Sequence, residues 1–95
     1  TDVQVAYGTD LEALMPRMVD VVRGVDRVLA DPAPAVLLTA FAADGLNLRV
    51  AFWIADPERG QLGPISDANL ALLRLFGEMG VEIPYPQRVV RHVQG

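Results

Sequence analysis

The chain has 95 residues, a net charge of −4, 52% hydrophobic and 21% charged residues, and no cysteine. That length supports one domain around one core, with roughly 60–65% of the unfolded surface buried on folding. The composition is too apolar for disorder. The acidic balance argues against nucleic acid as a partner, and the lack of cysteine excludes disulfides, thiolate catalysis and cysteine-ligated zinc.

All eight basic residues are arginine, a bias from which no function follows. No stretch reaches the ~18 to 20 apolar residues that a membrane-spanning helix needs. The longest apolar run, 33–43, is interrupted by Pro34 and Thr39. No charged-then-apolar leader pattern opens the chain. The expectation is a soluble domain. Because the chain starts without methionine in a strand-like pattern, it is also expected to be a piece of a larger protein.

Val3, Val5 and Tyr7 alternate with Gln4 and Ala6, a period of two that predicts a first strand ending at Gly8. Thr9 and Glu12 have the spacing of a capping box. Leu11, Leu14, Met15, Met18, Val22 and Val25 then recur at helical spacing. This predicts a helix over 10–23, stopped near Gly24 and bent at Pro16, where one backbone hydrogen bond is lost. Asp31-Pro32-Ala33-Pro34 reads as a stiff extended connector.

A second strand is predicted over 35–41, and Asp44-Gly45 is a turn signal. A third strand is predicted over 46–55. Leu48, Val50, Phe52 and Ile54 lie on one face of it, and Asn47, Arg49, Ala51 and Trp53 on the other. A loop follows from Asp56 to Pro64. Ser66 is read as the cap of a second helix that runs to Met79, buries Leu70, Leu73 and Phe76 with Leu72 and Met79 nearby, and stops at Gly80. Pro84-Tyr85-Pro86 is rigid and extended, and 87–93 reads as a short last strand.

The order strand, helix, strand, strand, helix, strand predicts an α+β, ferredoxin-like βαββαβ sandwich. Right-handed crossovers would place both helices on one face of a four-stranded, mainly antiparallel sheet, with the first and third strands central.

Catalytic patterns are absent from the sequence. His92 is the single histidine and has no companion ligands, so it is read as structural or solvated. Ser66 is the single serine and lacks a nucleophile context. Gly60 and Gly63 form no phosphate loop. Asp10, Glu12, Asp31, Asp44 and Asp67 have turn or cap roles. Asp56 with Glu58 reads as a solvated turn before it reads as a cation site. No pair of groups is set up for acid–base work. The expectation is no catalytic residue, no metal and no cofactor.

The sheet face away from the helices would carry Arg49, Ala51 and Trp53. An exposed aromatic there predicts a subunit interface. The competing reading puts Trp53 under the 56–64 loop, and the sequence leaves both open. A rival function is a free-standing ligand-binding regulatory module of the same fold. Gly8-Thr9-Asp10 is its candidate loop, but Asp10 would repel an anionic ligand there.

Several motifs resemble the small-conductance mechanosensitive channel family. They are Tyr7-Gly8-Thr9-Asp10-Leu11, Asp31-Pro32-Ala33-Pro34, Leu46-Asn47 with Phe52-Trp53, Ser66-Asp67 with Asn69, and Val81-Glu82-Ile83-Pro84-Tyr85-Pro86-Gln87. They cover almost the whole chain in one order. The resemblance implies a homo-heptamer on the cytoplasmic side of a bacterial inner membrane. It implies a hollow cage with portals, and a tension-gated release of ions and small solutes. This chain would be the cytoplasmic α/β domain, touching the membrane only through transmembrane segments that it does not contain. Tyr7, Gly8, Thr9, Asp10, Pro84, Tyr85, Pro86 and Gln87 would be structural motif residues. The family's last strand would lie at or beyond Val93. Pro16 departs from the family's uninterrupted first helix, so a local bend is expected there. Whether this piece alone is a monomer or an oligomer is left open.

Overall fold

Residues 1–84 are described by the computed structural model. Their elements are β1 (Asp2–Val5), α1 (Leu11–Arg23), β2 (Ala35–Phe41), β3 (Leu46–Ala51), a single 3-10 turn (Pro57–Arg59) and α2 (Leu62–Met79). The strands form one antiparallel sheet in the order β1-β3-β2. The described residues are therefore α+β with a three-stranded sheet, not the four-stranded ferredoxin-like one expected. The expected strand over 87–93 lies outside them.

β3 is central, as expected. β1 is an edge strand among the described residues and not a central one. After α2 the chain returns beside β1, where the Glu82 carbonyl accepts from the Ala6 N–H at 2.9 Å. Two residues further on stands Pro84, which has no N–H with which to continue a ladder.

α1 starts one residue later than the capping-box reading requires. The N-cap is Asp10, whose carboxylate accepts from the Ala13 N–H at 3.2 Å. Thr9 instead donates its hydroxyl back to the Ala6 carbonyl at 2.6 Å. With Asp10 as cap, Glu12 is not three residues on, so no reciprocal box forms. Glu12 does sit in the first turn, where it favours the helix dipole. The helix runs from Leu11 to Arg23 through Pro16. Pro16 is on the exposed side, so the Glu12 carbonyl that loses its partner faces water.

α2 begins four residues before Ser66. Pro64 falls in the first turn, where a missing N–H has no intrahelical partner anyway. Ser66 is therefore an exposed helical residue and not a cap. The shifted start also corrects the buried face, which is Pro64, Ala68, Leu72, Leu75 and Phe76. Leu70 and Leu73 are exposed. Gly80 ends the helix at φ 69, in the left-handed region that favours glycine, and its N–H bonds to the Phe76 carbonyl.

β3 stops at Ala51, four residues short of its predicted end, because both neighbours stop. Ala51 is paired with Ala35 at the start of β2, and Val50 exchanges backbone bonds with Thr1. Past that point the chain finds a new partner. Val28 bridges Ile54, Leu29 donates to the Trp53 carbonyl, and Ala55 donates to the Arg27 carbonyl.

One core holds both helices to one face of the sheet. It contains Val5, Val36, Leu46, Leu48 and Val50 from the strands, Leu14, Met18 and Val22 from α1, and the buried side of α2. Each such side chain contributes about 1.5–3 kcal/mol on burial.

Candidate interaction surface

Residues opposite one another in an antiparallel pair share a face. The face away from the core is built this way from Asp2 opposite Arg49, Gln4 opposite Asn47, and Leu37 opposite Arg49 on the other side. Arg49 Nε lies 3.1 Å from Asp2 Oδ1, and both side chains are exposed. Gln4 Nε2 donates to Asn47 Oδ1 at 2.9 Å. Thr39 hydroxyl donates to the Asn47 carbonyl at 3.2 Å, beside an irregularity in the β2–β3 register between Leu38 and Ala40.

The three expected interface residues divide. Arg49 lies among Asp2, Gln4, Thr39 and Asn47. Ala51 and Trp53 line a separate groove of about 510 Å³ with Thr1, Phe52, Pro57 and Gln61. Trp53 lies two residues past the strand and is 48% exposed. It borders the 57–61 loop without being covered by it.

Arg27 was not signalled by the sequence. It has φ 73, a left-handed conformation unusual for a residue with a side chain. Such a conformation costs about 1–3 kcal/mol and persists only where surroundings hold it. Here Nε donates to Asp56 Oδ1 at 2.7 Å, and Nη2 donates to the carbonyls of Asp56 and Gly60 at 3.0 and 2.8 Å. The backbone carbonyl of Arg27 also accepts from Ala55. The loop after β3 is thereby clamped to the segment after α1. Arg59 Nη1 reaches the other Asp56 oxygen at 3.5 Å. The Asp56 carboxylate is thus shared by two guanidinium groups, which is not a cation site. Among the described residues no three His, Asp or Glu groups converge as metal ligands.

Tyr7 donates its hydroxyl to the Ala42 carbonyl, tying the β1–α1 turn to the β2–β3 loop. The Asp10 carboxylate occupies the start of α1, so an anionic ligand meets a like charge there. Pro84 packs beside Gly45, where an added Cβ would run into the Val5 carbonyl. Tyr85, Pro86, Gln87 and His92 lie outside the described residues.

The family model described as "Mechanosensitive ion channel MscS, C-terminal" matches residues 1–83.

Proposed function

The chain belongs to the mechanosensitive ion channel MscS family, as the C-terminal domain of that family, and from that premise we propose that it is the cytoplasmic domain of a tension-gated channel. Rising membrane tension opens a pore made by other parts of the protein and releases ions and small solutes on hypo-osmotic shock. Copies of this domain, a heptamer in the intact channel, build a cage on the cytoplasmic side of a bacterial inner membrane. The cage acts as assembly scaffold and prefilter. Arg49, Ala51 and Trp53 contact a neighbouring subunit, and Tyr7, Gly8, Thr9 and Asp10 act structurally by holding the first turn.

The observation that carries this reading is the extent of the match. It starts at the first residue and ends after α2, so every element from β1 to α2 falls within it. The family is one of channel components and not of enzymes. No helix among the described residues is long and apolar enough to cross a membrane, so the proposed pore lies in other segments. The net charge of −4 on each copy supports the prefilter, because charge around a narrow opening biases which ions enter.

Membrane patches carrying the full-length protein test the channel reading. Stretch-evoked currents are expected, together with restored survival of downshock in cells stripped of their own channels of this kind. A full-length protein that inserts and passes no stretch-evoked current overturns it. Permeation unchanged by neutralising the acidic residues at the openings counts against the prefilter.

A further inference from the structure

β2 and β3 are joined through a two-residue loop, Ala43-Asp44, flanked by Ala42 and Gly45. Two-residue hairpins favour turns with a positive φ at the first central residue or at both. Neither Ala43 nor Asp44 has one, since Arg27 is the one non-glycine residue at positive φ among the described residues. The hairpin ends are accordingly held by one bond and not two. The Ala42 N–H donates to the Gly45 carbonyl at 2.8 Å. The reverse bond, from the Gly45 N–H to the Ala42 carbonyl, is not made, and that carbonyl accepts the Tyr7 hydroxyl instead. Gly45 is buried, where an N–H is nearly always paired, yet among the described residues no backbone carbonyl holds it.

The side chain next to that N–H is the carboxyl of Asp44, an exposed residue. The amide nitrogen that follows an aspartate is placed to close a small ring on the carboxyl carbon, Cγ. A side chain on the following residue hinders this by crowding the nitrogen, and a hydrogen bond hinders it by occupying the N–H. At Gly45 both obstacles are lacking. Asp44-Gly45 is the one step in the chain where glycine follows an aspartate or asparagine. Asp31 and Asp56 precede prolines, which have no N–H to lose. Asp20 and Asp67 lie within α1 and α2, where the next N–H is bonded along the helix. The glycine is imposed by packing, since an added Cβ would meet the Val5 carbonyl. The fold itself therefore requires the residue that leaves the nitrogen uncrowded.

We propose that Asp44-Gly45 is a site of spontaneous isoaspartate formation, opened by the missing hairpin bond. The Gly45 nitrogen attacks Cγ of the protonated Asp44 carboxyl, whose hydroxyl leaves with the nitrogen's hydrogen as one water. The product is a succinimide ring. Water then adds back at either ring carbonyl. Addition at Cγ restores aspartate. Addition at the main-chain carbonyl frees the α-carboxyl group and leaves the chain running through Cβ and Cγ. One water leaves and one returns, so no oxidant or cofactor enters and the mass is unchanged. The main chain gains one carbon inside a two-residue loop whose Gly45 is fixed against the Val5 carbonyl. The pairings of Leu46 with Val5 and Phe41 are the ones it disturbs. This chemistry goes beyond the channel reading and does not depend on it.

The test ages the purified chain for weeks at neutral pH and physiological temperature, then digests it with trypsin. An isoaspartate-specific carboxyl methyltransferase with labelled S-adenosylmethionine marks the product. Cleavage after Arg27 and Arg49 releases the fragment 28–49, in which Asp44 is the one aspartate followed by an N–H. Label there is expected at about tenfold that of any other fragment, ~1.4 kcal/mol in activation free energy. Asp44→Glu should bring it down to the level of the others, because the longer side chain closes a larger ring. Label that survives Asp44→Glu arises at Asn47 and overturns the assignment. Ala43→Gly permits a type II′ turn, whose closing bond occupies the Gly45 N–H. The rate should then fall about fivefold, the ~1 kcal/mol of one backbone hydrogen bond, with circular dichroism confirming that the variant is folded. An Ala43→Gly chain that labels as fast as the unaltered one overturns the proposal, because the missing bond is then not what opens the site. So does a native chain whose 28–49 fragment labels no more than the rest while the same chain aged in urea labels strongly, since the fold then protects the step.

Discussion

Arg27→Ala and Arg27→Gly, compared side by side, test whether a strained arginine holds the loop that follows β3. Both substitutions remove the same three hydrogen bonds, one of them to a carboxylate. A hydrogen bond to a charged group contributes ~1.5–3 kcal/mol when well buried. Here the two side chains remain 26% and 20% exposed, and solvent screening reduces the sum to about 2 kcal/mol. The substitutions differ in the backbone. Alanine keeps the left-handed strain at φ 73, whereas glycine relieves it for a net gain of about 1 kcal/mol after its larger unfolded-state entropy.

The expected order of stability is wild type, then glycine, then alanine. One kcal/mol moves the midpoint of a domain this size by about 4–8 °C. Thermal unfolding followed by circular dichroism should therefore show losses of about 4–8 °C for glycine and about 8–16 °C for alanine. Asp56→Ala removes only the carboxylate bond and leaves those to the two backbone carbonyls, so it should cost less than Arg27→Ala, and the double substitution should fall short of additivity because the two share one interaction. Equal midpoints for glycine and alanine would refute the strain argument. Midpoints at the wild-type value would refute the clamp.

Three further outcomes follow from the core and the turns. Leu48→Ala, at a fully buried position at the centre of β3, should cost about 2–5 kcal/mol in urea unfolding with an unchanged slope. Gly45→Ala places a methyl group against the Val5 carbonyl, so the loop must shift, at a cost of about 1–3 kcal/mol by the same assay. Asp10→Ala should cost about 1 kcal/mol through loss of the α1 cap; a larger effect from Thr9→Ala would return the cap to Thr9.

Where local chemistry decides, the sequence can be read to the residue. β2 spans 35–41 as expected, because Pro34 bars it on one side and Asp44-Gly45 turns it on the other. α1 was legible to within one residue, and its cap was not, since Thr9 and Asp10 are both good caps. The choice was made by the Ala6 carbonyl, which engages the Thr9 hydroxyl. Pro64 misled because a proline after Gly60 reads as loop, although the first turn of a helix tolerates it. That one shift exchanged Leu70 and Leu73 for Ala68 and Leu75 in the core. The end of β3 was not legible because alternation continues through Phe52 and Ile54. What stops the strand is the end of its neighbours, a fact about residues 1 and 35. The Arg27 clamp is equally non-local, since its acceptors lie 29 and 33 positions away. Of the surface residues, Arg49 and Ala51 were placed by period two, while Trp53 depended on the β3 end and was placed only in part.

Association of this chain should strengthen as salt rises, and the sign discriminates between two kinds of contact. Each copy carries a net −4, so copies repel one another over the Debye length, about 10 Å at 0.1 M and about 3 Å at 1 M. No charge falls within residues 32–43 on β2 or at Leu62, Leu70 and Leu73 on α2, although Asp31 and Asp44 bracket β2, so added salt screens the repulsion without weakening an apolar contact made there. Apolar burial itself is strengthened by excluded salts such as sulfate. A contact made through Arg49 and Asp2 behaves in the opposite way, because exposed ion pairs are screened. Light scattering across a concentration series at low and high salt reads the difference directly. A larger weight-average mass at high salt is the result expected of the apolar edges. A smaller one refutes them as the dominant contact and transfers that role to the charged open face of the sheet.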